Sequence, residues 1–115
     1  MRHEINTTIK GNENESLAVD FLVAEGFQII ETNYYAKKLG ELDIIAIQDD
    51  VLHFIEVKSG QADFDPIYNF TASKQRKVIN SAYYYMKAKK IDMVFCIDLL
   101  LVRWGEIEFL ENVTM

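Results

Sequence analysis

Residues 41–58 read Glu-Leu-Asp-Ile-Ile-Ala-Ile-Gln-Asp-Asp-Val-Leu-His-Phe-Ile-Glu-Val-Lys. Two apolar runs, 42–47 and 51–58, flank Gln48-Asp49-Asp50, and this composition predicts two strands joined by a tight turn. With Asp49-Asp50 as the turn, Gln48 faces Val51, Ile47 faces Leu52, Ile45 faces Phe54 and Asp43 faces Glu56. The other face pairs Ala46 with His53, Ile44 with Ile55 and Leu42 with Val57. Both faces are apolar except at one end, which marks a central hairpin covered on two sides.

That one end is chemically unusual. Like charges directly opposite each other destabilise a sheet, and burying an unpaired carboxylate costs more still. Lys58 is two residues beyond Glu56, so it shares that face and offsets part of the repulsion. A divalent cation would offset it better. Mg²⁺ (or Mn²⁺) is a hard ion held by one or two carboxylates together with water and phosphate oxygens. Two acids and a lysine where strands end are the groups that metal-assisted phosphodiester hydrolysis uses: acids for the metal, lysine for charge in the transition state. The alternative is that Glu56 and Lys58 are surface charges at a strand end and Asp43 starts a strand. Glu41 falls opposite Lys58 in the same register, as its ion-pair partner or as a further ligand.

Outward from the hairpin, the chain reads α-β-β-β-α-β-β. A helix is expected over 12–25, with Leu17, Ala18, Phe21 and Leu22 at helical spacing and Gly26-Phe27 as its stop. Strands follow over 27–32, 42–47 and 51–58, with a polar, aromatic loop at 33–40 and a second loop at 59–70 holding the single proline, Pro66. A second helix is expected over 71–90, with Val78, Ile79, Ala82, Tyr85 and Met86 as its buried stripe. Strands over 93–102 and 107–110 flank a turn at 103–105. Glu15 points along the buried side of the first helix, where it could be a third acid for a metal. Asn12-x-x-Glu15 fits a helix N-cap and its capping glutamate equally well.

At 115 residues the chain is expected to form one domain, residues 1–115. Half of the residues are hydrophobic and 26% charged, a composition that excludes a disordered chain. Cys96 is the single cysteine, so an intrachain disulfide is ruled out and a cysteine-based zinc site is not expected. No apolar run is long enough to cross a membrane, and the first ten residues carry no signal-peptide core, so a cytoplasmic location is expected.

The net charge of −6 argues against indiscriminate coating of DNA. The charge is nonetheless segregated: residues 71–90 hold Lys74, Arg76, Lys77, Lys87, Lys89 and Lys90 and no acid. Lys74, Arg76 and Lys77 fall in the first turns of the second helix, which suits phosphate binding more than helix stability. Lys87, Lys89 and Lys90 complement the dipole at the other end. Tyr34, Tyr35, Lys37 and Lys38 set two aromatic rings beside two cations, a combination that suits a nucleic acid strand as well as a solvated loop. His3 falls near the terminus, His53 reads as a packed histidine on the face away from Asp43, and Cys96 reads as an inert thiol in a buried strand.

On these residues the chain resembles the YraN family of small bacterial proteins. The resemblance covers nearly the whole length. It rests on Glu15-x-x-Ala18 with Leu22 and Gly26, on Asn33, on Gly40-Glu41-Leu42-Asp43-Ile44-Ile45-Ala46, on Phe54-Ile55-Glu56-Val57-Lys58, and on Lys74 and Ala82. The family is similar in fold to restriction endonucleases and archaeal Holliday junction resolvases. The resemblance implies a Mg²⁺-dependent nuclease with Asp43, Glu56 and Lys58 at the motif positions and Glu15 at the helical glutamate. Leu42 stands where the broader nuclease motif has proline, Asn14 where a glycine is common, and Ser59-Gly60 where relatives often carry a basic residue.

The fold expected is therefore α/β and restriction-endonuclease-like, a mixed sheet flanked by two helices. The function expected is phosphodiester hydrolysis by a metal-dependent endonuclease or DNA-processing protein. Its partner would be nucleic acid, branched or single-stranded DNA among the candidates, with a homodimer as the candidate assembly and no membrane. The rival readings are a non-catalytic nucleic-acid-binding module on the same fold and a protein-interaction subunit.

Overall fold

The Asp49-Asp50 turn takes φ values of 53° and 65°, the left-handed pair that matches the twist of a two-residue hairpin. A computed structural model describes residues 7–60 and 70–114; the expectations for His3 and Pro66 lie outside them. Around the turn, β2 (Glu41–Gln48) and β3 (Val51–Ser59) pair antiparallel. The register is Gln48↔Val51, Ile47↔Leu52, Ala46↔His53, Ile45↔Phe54 and Ile44↔Ile55, as the sequence predicts.

The element order is α1 (Thr7–Ala24), β1 (Gln28–Tyr35), a 3₁₀ turn (Lys37–Leu39), β2, β3, α2 (Ala72–Lys89), β4 (Phe95–Arg103) and β5 (Glu106–Leu110). The sheet order is β1-β2-β3-β4-β5. Among the described strands only β3 and β4 run parallel, from Leu52↔Phe95 to Ser59↔Val102. Parallel neighbours need a long crossover, and the segment containing α2 provides it. The protein is thus α/β, with a five-stranded mixed sheet and two helices, in the order expected.

Each helix is packed into its own core. Val78, Ala82 and Tyr85 of α2 meet Ile45, Leu52, Phe54, Ile97, Leu99 and Leu101. Ala18 and Leu22 of α1 meet Phe27, Ile44, Ala46, Ile55, Leu100 and Val102. Alternate residues of β4 therefore serve opposite cores, which explains its continuous apolar run. Gly26 ends α1 at φ 96°, and the Phe27 N–H donates to the Leu22 carbonyl at 2.9 Å, closing the helix as the Gly-Phe pair predicts.

Four expectations need correction. Helix α1 begins at Thr7 rather than residue 12, so Glu15 lies in its third turn and is no capping glutamate. Leu17 is 44% exposed, one position off the buried stripe. Strand β1 runs on to Tyr35, pairing Tyr34 with Leu42 and Tyr35 with Glu41, so both tyrosines belong to a strand and not a loop. The apolar run at 93–102 becomes strand only from Phe95. Among the described residues no helix is long and apolar enough to cross a membrane.

Candidate active site

The regular ladder of the central hairpin is replaced beyond Ile44↔Ile55 by the two acids. The Asp43 N–H donates to Glu56 Oε2 at 3.4 Å, and the Val57 N–H donates to Asp43 Oδ2 at 2.9 Å. Each carboxylate thus takes a backbone N–H at the join, and the strict alternation of the strand slips there. Leu42 packs into the α2-side core and Ile44 into the α1-side core. Strict alternation would have placed Leu42 on the same face as Ile44; the carboxylate–amide bonds release it. Asp43 sits at the slip.

Burial dominates the electrostatics of the pair. Glu56 is 7% exposed; desolvation first, then the Asp43 charge, push its carboxyl up to about 8. Desolvation also raises Asp43, to about 6, and Glu15 and Glu41 add to the rise. The Val57 N–H and Lys58 favour the charged form of Asp43, and the Asp43 N–H and Lys58 do the same for Glu56, without cancelling the rise. The Asp43 charge raises Glu56 in the manner of like charges sharing a site.

Glu56 and Lys58 open into a pocket whose other walls come from Gly40, Glu41, Lys74, Lys77 and Ser81, over an apolar floor of Leu39, Phe70 and Val78. Its open space is about 460 Å³, part of it continuous with solvent. Helical spacing explains the selection from α2: residues 74, 77, 78 and 81 lie on one face. Thr71 caps the helix, its Oγ1 accepting the Lys74 N–H at 3.3 Å. Gly40 closes the far side at φ 135°, a backbone conformation that side chains rarely adopt.

The expected residues therefore divide. Asp43, Glu56 and Lys58 come together; Glu56 and Lys58 share the pocket with Lys74 and Lys77, and Asp43 lies outside its lining. Arg76, Lys37 and Lys38 are exposed and do not line it. Glu15 stands on the α1 side, in a shallow depression with Ser16, Asp20 and Thr32. Its Oε1 accepts from Asn33 Nδ2 at 2.9 Å, and its charge reaches Asp43. Tyr34 is no free stacking platform: its ring lies edge-on to Tyr85 at 4.8 Å, with the Lys89 ammonium 5.8 Å from its centre. Tyr35 is 70% exposed.

Sequence reasoning missed Asp98. It is fully buried in β4, its Oδ2 2.5 Å from His53 Nδ1. An acid inside an otherwise apolar strand was the available signal. His53 is packed as expected, edge-on to Phe27 at 4.9 Å, but it has this acid as partner. Burial and the Asp98 charge push the Cys96 thiol up to about 12, which suits an unreactive thiol.

Sheet, hairpin and pocket together define a class: small α/β proteins with an acid–acid–lysine constellation where the central strands part. The chain belongs to the family described as Uncharacterised protein family UPF0102, whose sequence profile matches residues 14–102, in agreement with the resemblance drawn from the motifs. It is 64% identical to a UPF0102 protein of Sulfurovum sp. (strain NBC37-1) over 93% of this chain and 95% of that one. It is 52% identical to the protein WS0451 of Wolinella succinogenes, also called a UPF0102 protein, over 92% and 96%. A UPF0102 protein of Helicobacter hepaticus is 45% identical over 96% and 99%.

Proposed function

We propose that the protein is a metal-dependent endonuclease or DNA-processing protein that hydrolyses phosphodiester bonds. One observation carries this reading: two desolvated carboxylates, Asp43 and Glu56, are joined at a strand end beside Lys58, and Glu56 and Lys58 share a pocket with Lys74 and Lys77. A hydrolytic site for a phosphodiester has to gather negative charge for a cation and positive charge for phosphate, and this pocket has both.

The donors suit Mg²⁺ or Mn²⁺. Asp43 and Glu56 offer carboxylate oxygens only, as hard cations prefer, and their mutual repulsion is what a divalent cation relieves. Glu15 reaches Asp43 through its charge and supports the site from the α1 side. When bound, the ion would polarise the phosphate and lower the pKa of a coordinated water. Lys74 and Lys77 hold the non-bridging phosphate oxygens. Lys58 sits beside both acids and stabilises the charge that builds as the P–O bond to the leaving group breaks.

The test uses branched, flapped and single-stranded DNA with Mg²⁺ and with Mn²⁺. Wild type is expected to cut at least one of these. Lys58→Ala should lose cleavage while keeping metal affinity, because lysine is no ligand for Mg²⁺ and acts in the transition state. Asp43→Ala should lose metal affinity and cleavage together. A wild type that binds these DNAs and cuts none, in either metal, would make the pocket a binding module instead.

A further inference from the structure

A second group of metal-ligating side chains lies on the α1 face of β3 and its parallel neighbour β4. The parallel register His53↔Cys96 and Ile55↔Asp98 sets His53 beside Cys96 and brings Asp98, two residues on, to the same face. Cys96 Sγ is 3.2 Å from His53 Nδ1 and 3.3 Å from Asp98 Oδ1. One nitrogen, one sulfur and one oxygen all fall within 4.8 Å of one another. His53 and Glu56 are three residues apart on β3 and face opposite sides, so this cluster is about 10 Å along the strand from the acid pair.

These contacts are hydrogen bonds while protons occupy the centre of the cluster. Several features suit an ion in their place. Zn²⁺ takes mixed nitrogen, sulfur and oxygen donors at about 2.0–2.3 Å, so a tetrahedral site sets its donors roughly 3.3–3.7 Å apart, close to the 3.2 and 3.3 Å by which the sulfur is separated from the nitrogen and oxygen here. Asp98 is held ready: its Oδ1 accepts the Asn112 N–H at 2.9 Å, which leaves Oδ2 turned to His53. Bonds of this kind to a ligand's second oxygen orient it. The Phe27 ring fixes the imidazole. Cys96 is partly exposed, so the sulfur side is open for entry and for a fourth, water ligand.

We propose that His53, Cys96 and Asp98 bind one divalent transition-metal ion of the Zn²⁺ type. Binding releases the thiol proton and the proton between His53 and Asp98 to solvent. The ion clasps the beginnings of β3 and β4 and, through Asp98 and Asn112, the C-terminal stretch whose Val113 N–H donates to the Ile97 carbonyl. A soft, sulfur-bearing donor set selects a different ion from the all-oxygen pair at the other end of the strand.

The experiment is a titration of the full chain with Co²⁺, without Mg²⁺, read by absorption. Cys96 is the single cysteine, so a thiolate-to-cobalt charge-transfer band can arise from that sulfur alone. One equivalent should produce the band together with intense tetrahedral d–d bands, and Zn²⁺ should abolish both. Cys96→Ser should remove the charge-transfer band. His53→Gln and Asp98→Asn should weaken Co²⁺ binding by more than about 100-fold, beyond the loss typical of a merely supporting residue. Asp43→Ala should leave the spectrum unchanged, which separates this site from the proposed hydrolytic one. A wild-type spectrum without the charge-transfer band overturns the proposal, whatever the variants do. Unchanged affinity in His53→Gln or Asp98→Asn overturns the ligand set.

Discussion

Glu56 is the residue whose protonation is most tied to folding. Its carboxyl moves from 4.5 to about 8 in the folded protein, so the native state holds a proton that the unfolded state releases. Its contribution to stability is complete below pH 4.5 and is lost as pH rises through about 8. Asp43, raised to about 6, acts in the same direction at lower pH. In chelator, the melting temperature should therefore fall as pH rises across this window, and Glu56→Gln should make the fall shallower. An equal slope in the variant would show that the proton is held elsewhere. The identities of Asp43, Glu56 and Lys58 as candidates were legible because acids interrupt an otherwise apolar hairpin at matched positions. Their burial was not, since it depends on the slip at Asp43. Asp98 was illegible as a partner because its histidine lies 45 positions away and meets it only through the parallel pairing.

At the scale of elements, the hairpin was readable because one turn position satisfies both faces at once. The exception is Leu42. Alternation holds only while the ladder continues, and two carboxylate–amide bonds end it there. The start of α1 was hidden because Asn12 read as a cap, whereas the helix runs through it. The turn supports a specific prediction: Asp49 and Asp50 both occupy left-handed φ, which costs a non-glycine residue roughly 1–2 kcal/mol. Asp50→Gly should stabilise the protein by up to about 1 kcal/mol in urea unfolding, the glycine's greater unfolded-state freedom taking back part of the gain. Helix α2 supports another. Lys74 and Lys77 line the pocket and Arg76 does not. If DNA binds there, Lys74→Ala with Lys77→Ala should reduce the salt slope of binding by about 1.4–1.8, at roughly 0.7–0.9 per lost phosphate contact. Arg76→Ala should leave the slope nearly unchanged, and an equal effect from Arg76 would move the binding surface off the pocket.

For the whole molecule, charge is sorted along the chain: the only acid-free stretch of strong positive charge becomes α2, and α2 is the helix that covers the acid pair's side of the sheet. That sorting was visible in the sequence, and so was the element order. Which strands would lie parallel was not, because nothing local records the pairing of β3 with β4. This parallel pair has a consequence for how the chain reaches its shape. The β2–β3 hairpin closes across two residues, whereas Leu52 waits for Phe95, and each doubling of a closing loop costs about 0.6 kcal/mol. The extra entropic cost is roughly 2–3 kcal/mol, so the hairpin should assemble early and the β3–β4 docking should set the rate. Ile45→Val is then expected to slow refolding nearly in proportion to the stability it removes, while Leu101→Ala speeds unfolding instead. During synthesis, the edge of β3 that pairs with β4 emerges bare and stays so until β4 has left the ribosome. A chain halted between them would present an open strand edge, the form of this protein most prone to stick to its own kind.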